Sequence, residues 1–227
     1  MNPHDREHFV ELLRKSGSYR DFHAQFKKKN GDAFWGILSA STLDLDGVPS
    51  YLAVLRDISE AKKAEEDIRY LSLFDPLTGL ANRRELMEQL RRLTASGARS
   101  HRQRAMLFID LDNFKTLNDT IGIQTGDLLL QEVARRLAAF VRDGDTVARL
   151  GSDEFVVILN DLSETPEDAT GEAEAVAEKI LATVSRPYLL NAQEYNSTCS
   201  IGVVLMEDNH KNTSDFLQRA EIAMFQA

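Results

Sequence analysis

The sequence predicts an α/β fold with an antiparallel-rich central sheet and flanking helices, preceded by a small β-meander and a connecting helix. Three observations carry this reading. The run Ala105-Met106-Leu107-Phe108-Ile109 is continuously apolar and ends in Asp110-Leu111-Asp112, the pattern of a central strand buried on both faces. Two β-prone runs, starting at Val147 and ending at Leu159, flank the polar segment Gly151-Ser152-Asp153-Glu154, which reads as a hairpin with two adjacent carboxylates at its tip. Segments of helical period alternate with these strands, which places helices on the faces of the sheet. Neither Gly-x-Gly-x-x-Gly nor Gly-x-x-x-x-Gly-Lys-Ser/Thr occurs, so a parallel dinucleotide fold is not indicated.

Taken in order, residues 1–58 form a first unit. Phe9, Leu12 and Leu13 suggest one helix. Tyr19, Phe22, Ala24 and Phe26 lead into Asn30-Gly31, a strong hairpin signal. Ala33 to Ser41 is a second strand, Asp46-Gly47 a second turn, and Tyr51 to Leu55 a third strand. A unit this small carries a poor core alone. Lys27-Lys28-Lys29 reads as a solvated hairpin end, and His4, His8 and His23 have no metal-ligand spacing.

Residues 59–73 form a connecting helix that Asp57 or Ser59 can cap. Its stripe Ile58, Ala61, Glu65, Ile68 and Leu71 suits either packing on its own chain or a seam with a second copy. Residues 74–227 form the main domain. Pro76 and Gly79 enforce turns, and Asn82 caps a helix from Arg83 to Leu93. A polar loop, Thr94 to Arg104, precedes the apolar strand. Leu128 to Phe140 is expected as a helix with Asp127 at its N-terminus. The hairpin follows, then an acidic loop from Asp161 to Thr170 and a helix from Glu172 to Val184. Tyr188 to Asn191 and Tyr195 to Met206 read as a further hairpin, and Asp215 to Phe225 as the last helix.

The chain has 227 residues, of which 43% are hydrophobic and 28% charged, with a formal net charge of −9. A bulk field of that sign does not attract nucleic acid or anionic lipid. A lone cysteine, Cys199, excludes an internal disulfide and a multi-cysteine zinc site. No run of about 18 apolar residues spans a bilayer, and a cytoplasmic module is the expectation, whose parent could still be membrane-attached. Carboxylates at a hairpin tip and a strand end suit a hard cation such as Mg²⁺ (or Mn²⁺), which takes oxygen ligands and substrate phosphates; a plain polar surface turn is the alternative.

Two family resemblances sharpen these readings. Lys27-Lys28-Lys29-Asn30-Gly31 to Trp35, Asp46-Gly47 to Tyr51 and Arg56-Asp57-Ile58-Ser59-Glu60 resemble the C-terminal half of a PAS sensor domain. Asp75-Pro76-Leu77-Thr78-Gly79-Leu80-Ala81-Asn82-Arg83, Phe108 to Lys115, Asn118-Asp119, Gly126-Asp127 and Arg149 to Phe155 together resemble the GGDEF family of diguanylate cyclases. That resemblance implies a palm-like nucleotidyl cyclase fold and the joining of two GTP into cyclic di-GMP with release of pyrophosphate. It implies that Asp110, the Leu111 carbonyl and Asp153 hold the metal, that Asn118 and Asp127 read guanine, that Glu154 assists at the 3′-hydroxyl, and that Lys115 lies near phosphates. Arg142 and Asp145 resemble the inhibitory product site. Because each site holds one GTP, cyclisation implies a homodimer, consistent with the helical seam. The stretch Asp161 to Pro187 is similar to members that precede an EAL phosphodiesterase domain.

Three departures bear on activity. Ser152 replaces the second glycine of the signature, Ile123 stands where many members have His, and the sequence ends at Ala227 before the Lys and Gly-Arg segment whose cations hold the triphosphate in the family. These set a GTP- or cyclic di-GMP-binding regulatory module beside the cyclase as an alternative.

Overall fold

The computed structural model describes residues 3–96, 102–206 and 213–226. The chain divides into two compact units, Met1–Tyr70 and Leu71–Ala227.

The first unit holds α1 (Pro3–Ser16), β1 (Ser18–Lys27), β2 (Ala33–Leu45) and β3 (Val48–Asp57), followed by α2 (Ser59–Leu73), which runs across the boundary. The strands form the expected antiparallel meander, in the order β1-β2-β3. Leu45 pairs with Val48, leaving Asp46-Gly47 as a two-residue loop with φ of 53° and 83°, the positive-φ pair that a type I′ hairpin demands. Phe9 and Leu13 of α1 bury against Ala40, Tyr19, Phe22 and Leu38. The core stops there, and β3 leaves Val48, Tyr51, Leu52, Val54 and Leu55 exposed. Asp57 caps α2 by accepting from Ser59 N–H at 2.9 Å, while the Ser59 hydroxyl accepts from Trp35 N–H at 3.0 Å. No residue of α2 is buried.

The second unit holds α3 (Arg83–Ser96), β4 (Ala105–Leu111), α4 (Phe114–Ile121), α5 (Ile123–Phe140), β5 (Thr146–Gly151), β6 (Glu154–Leu159), α6 (Pro166–Val184), β7 (Tyr188–Leu190), β8 (Gln193–Tyr195), β9 (Cys199–Leu205) and α7 (Thr213–Phe225). Its main sheet runs β5-β6-β4-β9, with every neighbouring pair antiparallel. The period of a strand explains the layers. Ala105, Leu107, Ile109 and Leu111 face α5 and α6 in one core; Met106 and Phe108 face α3 and α7 in the other. The continuous apolar run of β4 is therefore a strand covered on both faces, as its composition required.

Four details differ from the sequence reading. A helix, α4, follows β4 where none was expected; its polar residues Lys115, Asn118 and Asp119 masked a short stripe of Phe114 and Leu117. Helix α5 begins at Ile123, so Asp127 lies inside the helix rather than at its N-terminus. Helix α6 begins at Pro166, with the Thr165 hydroxyl accepting from Asp168 N–H, so the second half of the expected acidic loop is helical. Tyr188 to Leu190 pairs with the short β8, whereas β9 joins the main sheet beside β4. The loop expected over residues 94–104 lies partly outside the described residues.

Candidate functional site

Register assembles the acidic site. In the β4–β6 ladder Asp110 lies directly opposite Glu154, and alternation puts both on the sheet face covered by α3 and α7. Leu111 N–H approaches the Asp153 carbonyl at 3.4 Å, so the hairpin tip sits beside the end of β4. Burial, then repulsion from Asp153, Glu154 and Asp112, pushes the Asp110 carboxyl up to about 6. Burial also raises the Glu154 carboxyl; Glu221 adds to the rise, and Arg83 opposes it. Carboxylates crowded this way stay ionised when a cation neutralises them. Among the described residues no group of three or more His, Cys, Asp or Glu is gathered for a metal. An ion at Asp110 and Asp153 would therefore complete its shell with main-chain and ligand oxygens, a donor set that suits Mg²⁺. Asp112 is turned to another task, accepting from the hydroxyls of Thr198 and Ser200, the latter at 2.9 Å.

A clamp fixes the tip. Arg149, at the end of β5, donates from Nη1 to Asp75 Oδ1 at 2.9 Å. Its Nε and Nη2 both donate to the Ser152 carbonyl, at 3.1 and 2.6 Å. Asp75 also accepts from Thr78 N–H at 2.9 Å and from the Thr78 hydroxyl at 2.6 Å. Burial raises the Asp75 carboxyl, but the hydrogen bonds from Thr78 and Arg149 outweigh it and hold the group below the usual carboxylate range. Sequence reasoning missed Asp75 and Arg149 as a pair, because 74 positions separate them. It also missed Arg83 and Glu221, which reach Glu154 from α3 and α7 and line a cavity of about 670 Å³ between those helices.

The α4–α5 corner brings together the residues expected to read a base. Gly126 on α5 is buried against Asn118 on α4, and a Cβ at Gly126 would stand 1.7 Å from Asn118 Oδ1. That oxygen is buried without a hydrogen-bond partner. An orphaned buried acceptor costs about 1–3 kcal/mol, and such groups call for a functional explanation. Asp127, the next residue, is half-buried. Lys115 is exposed in the first turn of α4. Asn113 precedes that helix at φ 56° and makes no side-chain cap hydrogen bond, leaving first-turn N–H groups available to an anion.

Arg142 and Asp145 lie elsewhere. They precede β5, whose far end carries the tip, about 17 Å away at strand rise. Both Asp145 oxygens serve the local turn: Oδ2 accepts from Arg142 N–H at 3.2 Å and Oδ1 from Asn160 N–H at 2.9 Å. Arg142 itself is exposed.

The profile of the diguanylate cyclase GGDEF domain matches residues 72–227. The chain is 33% identical over 195 residues to the probable diguanylate cyclase DgcE of Escherichia coli, covering 86% of this chain and 17% of that protein. It is 39% identical over 165 residues to the bifunctional diguanylate cyclase/cyclic di-GMP phosphodiesterase MucR of Pseudomonas aeruginosa, covering 73% of this chain and 23% of that one. The crystal structure of the coiled coil and GGDEF domain of DgcB from Caulobacter crescentus, in complex with c-di-GMP, superposes with a TM-score of 0.64 at 26% identity, covering 74% of this chain and 86% of that chain. The chain spans roughly a fifth of the length of the curated relatives it matches. Among the described residues no helix is long and apolar enough to cross a membrane.

Proposed function

The chain belongs to the GGDEF family of diguanylate cyclase domains, and from that premise we propose that it binds GTP and, as a dimer, condenses two GTP into cyclic di-GMP. The observation that carries the reading is the carboxylate set at the β4–β6 edge, where Asp110 faces Glu154 and the Arg149 clamp fixes the tip bearing Asp153. Asp110, Asp153 and the Leu111 carbonyl would hold Mg²⁺ or Mn²⁺, which supplies charge neutralisation and polarisation of phosphate oxygens. Lys115 and the uncapped start of α4 receive phosphate charge. Asn118 and Asp127 offer complementary donors and acceptors to a guanine edge. Glu154, whose carboxyl is raised, takes up the proton of the attacking 3′-hydroxyl. Each such site holds one nucleotide, so two copies must face each other. Helix α2 supports that pairing, since it buries none of its residues and exposes Ile68, Tyr70 and Leu71. In this reading residues 1–58 are the end of a PAS sensor and 59–73 its signalling linker, and Arg142 contributes to product feedback.

A second reading keeps the same ligands without turnover: a GTP- or cyclic di-GMP-binding regulatory module, as in a composite with a phosphodiesterase domain. The bifunctional name of MucR and the side chain at Ser152 favour it. Purified protein incubated with GTP and Mg²⁺ and analysed by chromatography for cyclic di-GMP separates the two. Product that disappears in Asp153→Asn supports the cyclase. GTP binding with no product at any protein concentration supports the regulatory module, and absence of binding sinks both.

A further inference from the structure

We propose that Ser152 is itself a nucleotide contact, its hydroxyl donating to a phosphate oxygen of the GTP held beside Asp153. The inference rests on the nucleotide-binding reading above. It starts from strain. Among the described residues seven non-glycines have positive φ, and five of them are Asp or Asn, which tolerate that region by bonding to their own backbone. Ala192 sits in the two-residue β7–β8 loop. Ser152 lies at the candidate site without an Asp or Asn side chain to ease it, and its φ of 36° lies short of even the usual left-handed basin. Strain concentrated at a site argues for a function of the strained residue.

The surroundings show how the strain is held and what it achieves. The Arg149 fork grips the Ser152 carbonyl with two hydrogen bonds, and Asp75 anchors the fork. The backbone is therefore fixed, whereas the side chain is exposed and its hydroxyl makes no hydrogen bond among the described residues. With the backbone held, only the rotation of this unpartnered hydroxyl remains to be ordered when it donates to a phosphate oxygen beside Asp153. A glycine here would relieve the backbone and remove the donor.

The test measures binding of a non-hydrolysable GTP analogue, with Mg²⁺, by calorimetry on the whole chain, alongside the thermal midpoint of each variant. Ser152→Ala keeps the Cβ and the strained backbone but lacks the hydroxyl; the expected result is a Kd raised about 3- to 10-fold, the loss of one hydrogen bond, with an unchanged midpoint. Ser152→Gly should lose the same affinity while its midpoint rises. Ser152→Ala binding as tightly as the unmodified chain, or either variant binding more tightly, overturns the contact and leaves the nucleotide reading intact. An unmodified chain that does not bind the analogue overturns both.

Discussion

Replacing Arg149 by Met should destabilise the second unit by about 2–3 kcal/mol, a value built from what the guanidinium touches. Arg149 gives up one bond to Asp75 and two to the Ser152 carbonyl, and charge-assisted hydrogen bonds contribute about 1.5–3 kcal/mol each. Two effects reduce the sum. The Ser152 carbonyl belongs to an exposed residue and regains water. Asp75 keeps both bonds from Thr78, so its charge is not orphaned and the cost stays below the roughly 3–5 kcal/mol of breaking a fully buried pair. For a unit of this size about 2–4 °C accompanies each kcal/mol, which gives a midpoint lowered by about 5–10 °C. Circular dichroism melting at pH 7 reads it. The pH dependence has a definite sign. The Asp75 carboxyl is held low in the folded chain, so its stabilisation is present above the ordinary Asp pKa and is lost as pH falls through the folded value. The gap between the unmodified chain and the variant should therefore narrow in acid. A midpoint within 1 °C of the unmodified chain at pH 7, or a gap that does not narrow on acidification, would refute the clamp as an energetic feature.

Three further perturbations follow from close approaches and a half-buried cation. Gly126→Ala puts a Cβ 1.7 Å from Asn118 Oδ1; the amide must swing away, and guanine-nucleotide affinity measured by calorimetry should fall at least tenfold, with unchanged affinity counting against Asn118 as a base reader. Gly202→Ala meets the Ala220 carbonyl at 2.1 Å and Met224 N at 2.3 Å; because backbone cannot yield as a side-chain tip does, a loss of about 3 kcal/mol or more is expected in urea unfolding. Arg136→Lys surrenders a guanidinium that donates to the carbonyls of Thr183, Val184, Arg186 and Pro187 and stacks 3.7 Å from the Tyr188 ring centroid; an ammonium cannot reproduce that fork, and the melting midpoint should drop by about 4–8 °C, equivalent to roughly 2 kcal/mol.

Alternation and turn chemistry are local, and they made much of the fold legible. Ala105 to Ile109 announced a doubly covered strand, Asn82 announced its helix by capping Arg84 and Glu85 N–H groups, and Asp46-Gly47 announced its hairpin. The errors fall where a tertiary partner overrides the local pattern. Asp127 reads as the start of a helix, yet α5 begins a turn earlier at Ile123, and Gly126 inside it packs where a Cβ would collide with Asn118. β9 reads as the partner of Tyr188 to Leu190, but its ladder is with β4, where Leu111 pairs with Cys199 far along the chain. Of the site, Asp110 stands opposite Glu154 with the Asp153 carbonyl near Leu111 N–H, and Gly126 packs against Asn118. What no motif reported is who holds them in place.

That holding is the stronger argument about Ser152. Read from sequence, a serine in a glycine position is a defect. In the fold, the position does require positive φ, so the objection was physically sound. The chain answers it with groups it already has. The guanidinium that grips the Ser152 carbonyl is also held by Asp75, and Asp75 accepts from Thr78 in the turn that bridges Phe74 to Ala81. Ala81 closes the circuit by accepting from Arg149 N–H at 2.9 Å. The turn and the tip are thus one hydrogen-bonded unit. The roughly 1–2 kcal/mol that a side chain loses in the left-handed region is no larger than the roughly 2–3 kcal/mol that the clamp contributes. A side chain at residue 152 is therefore compatible with an ordered tip, and whether it helps or hinders a nucleotide turns on its hydroxyl rather than on the backbone beneath it.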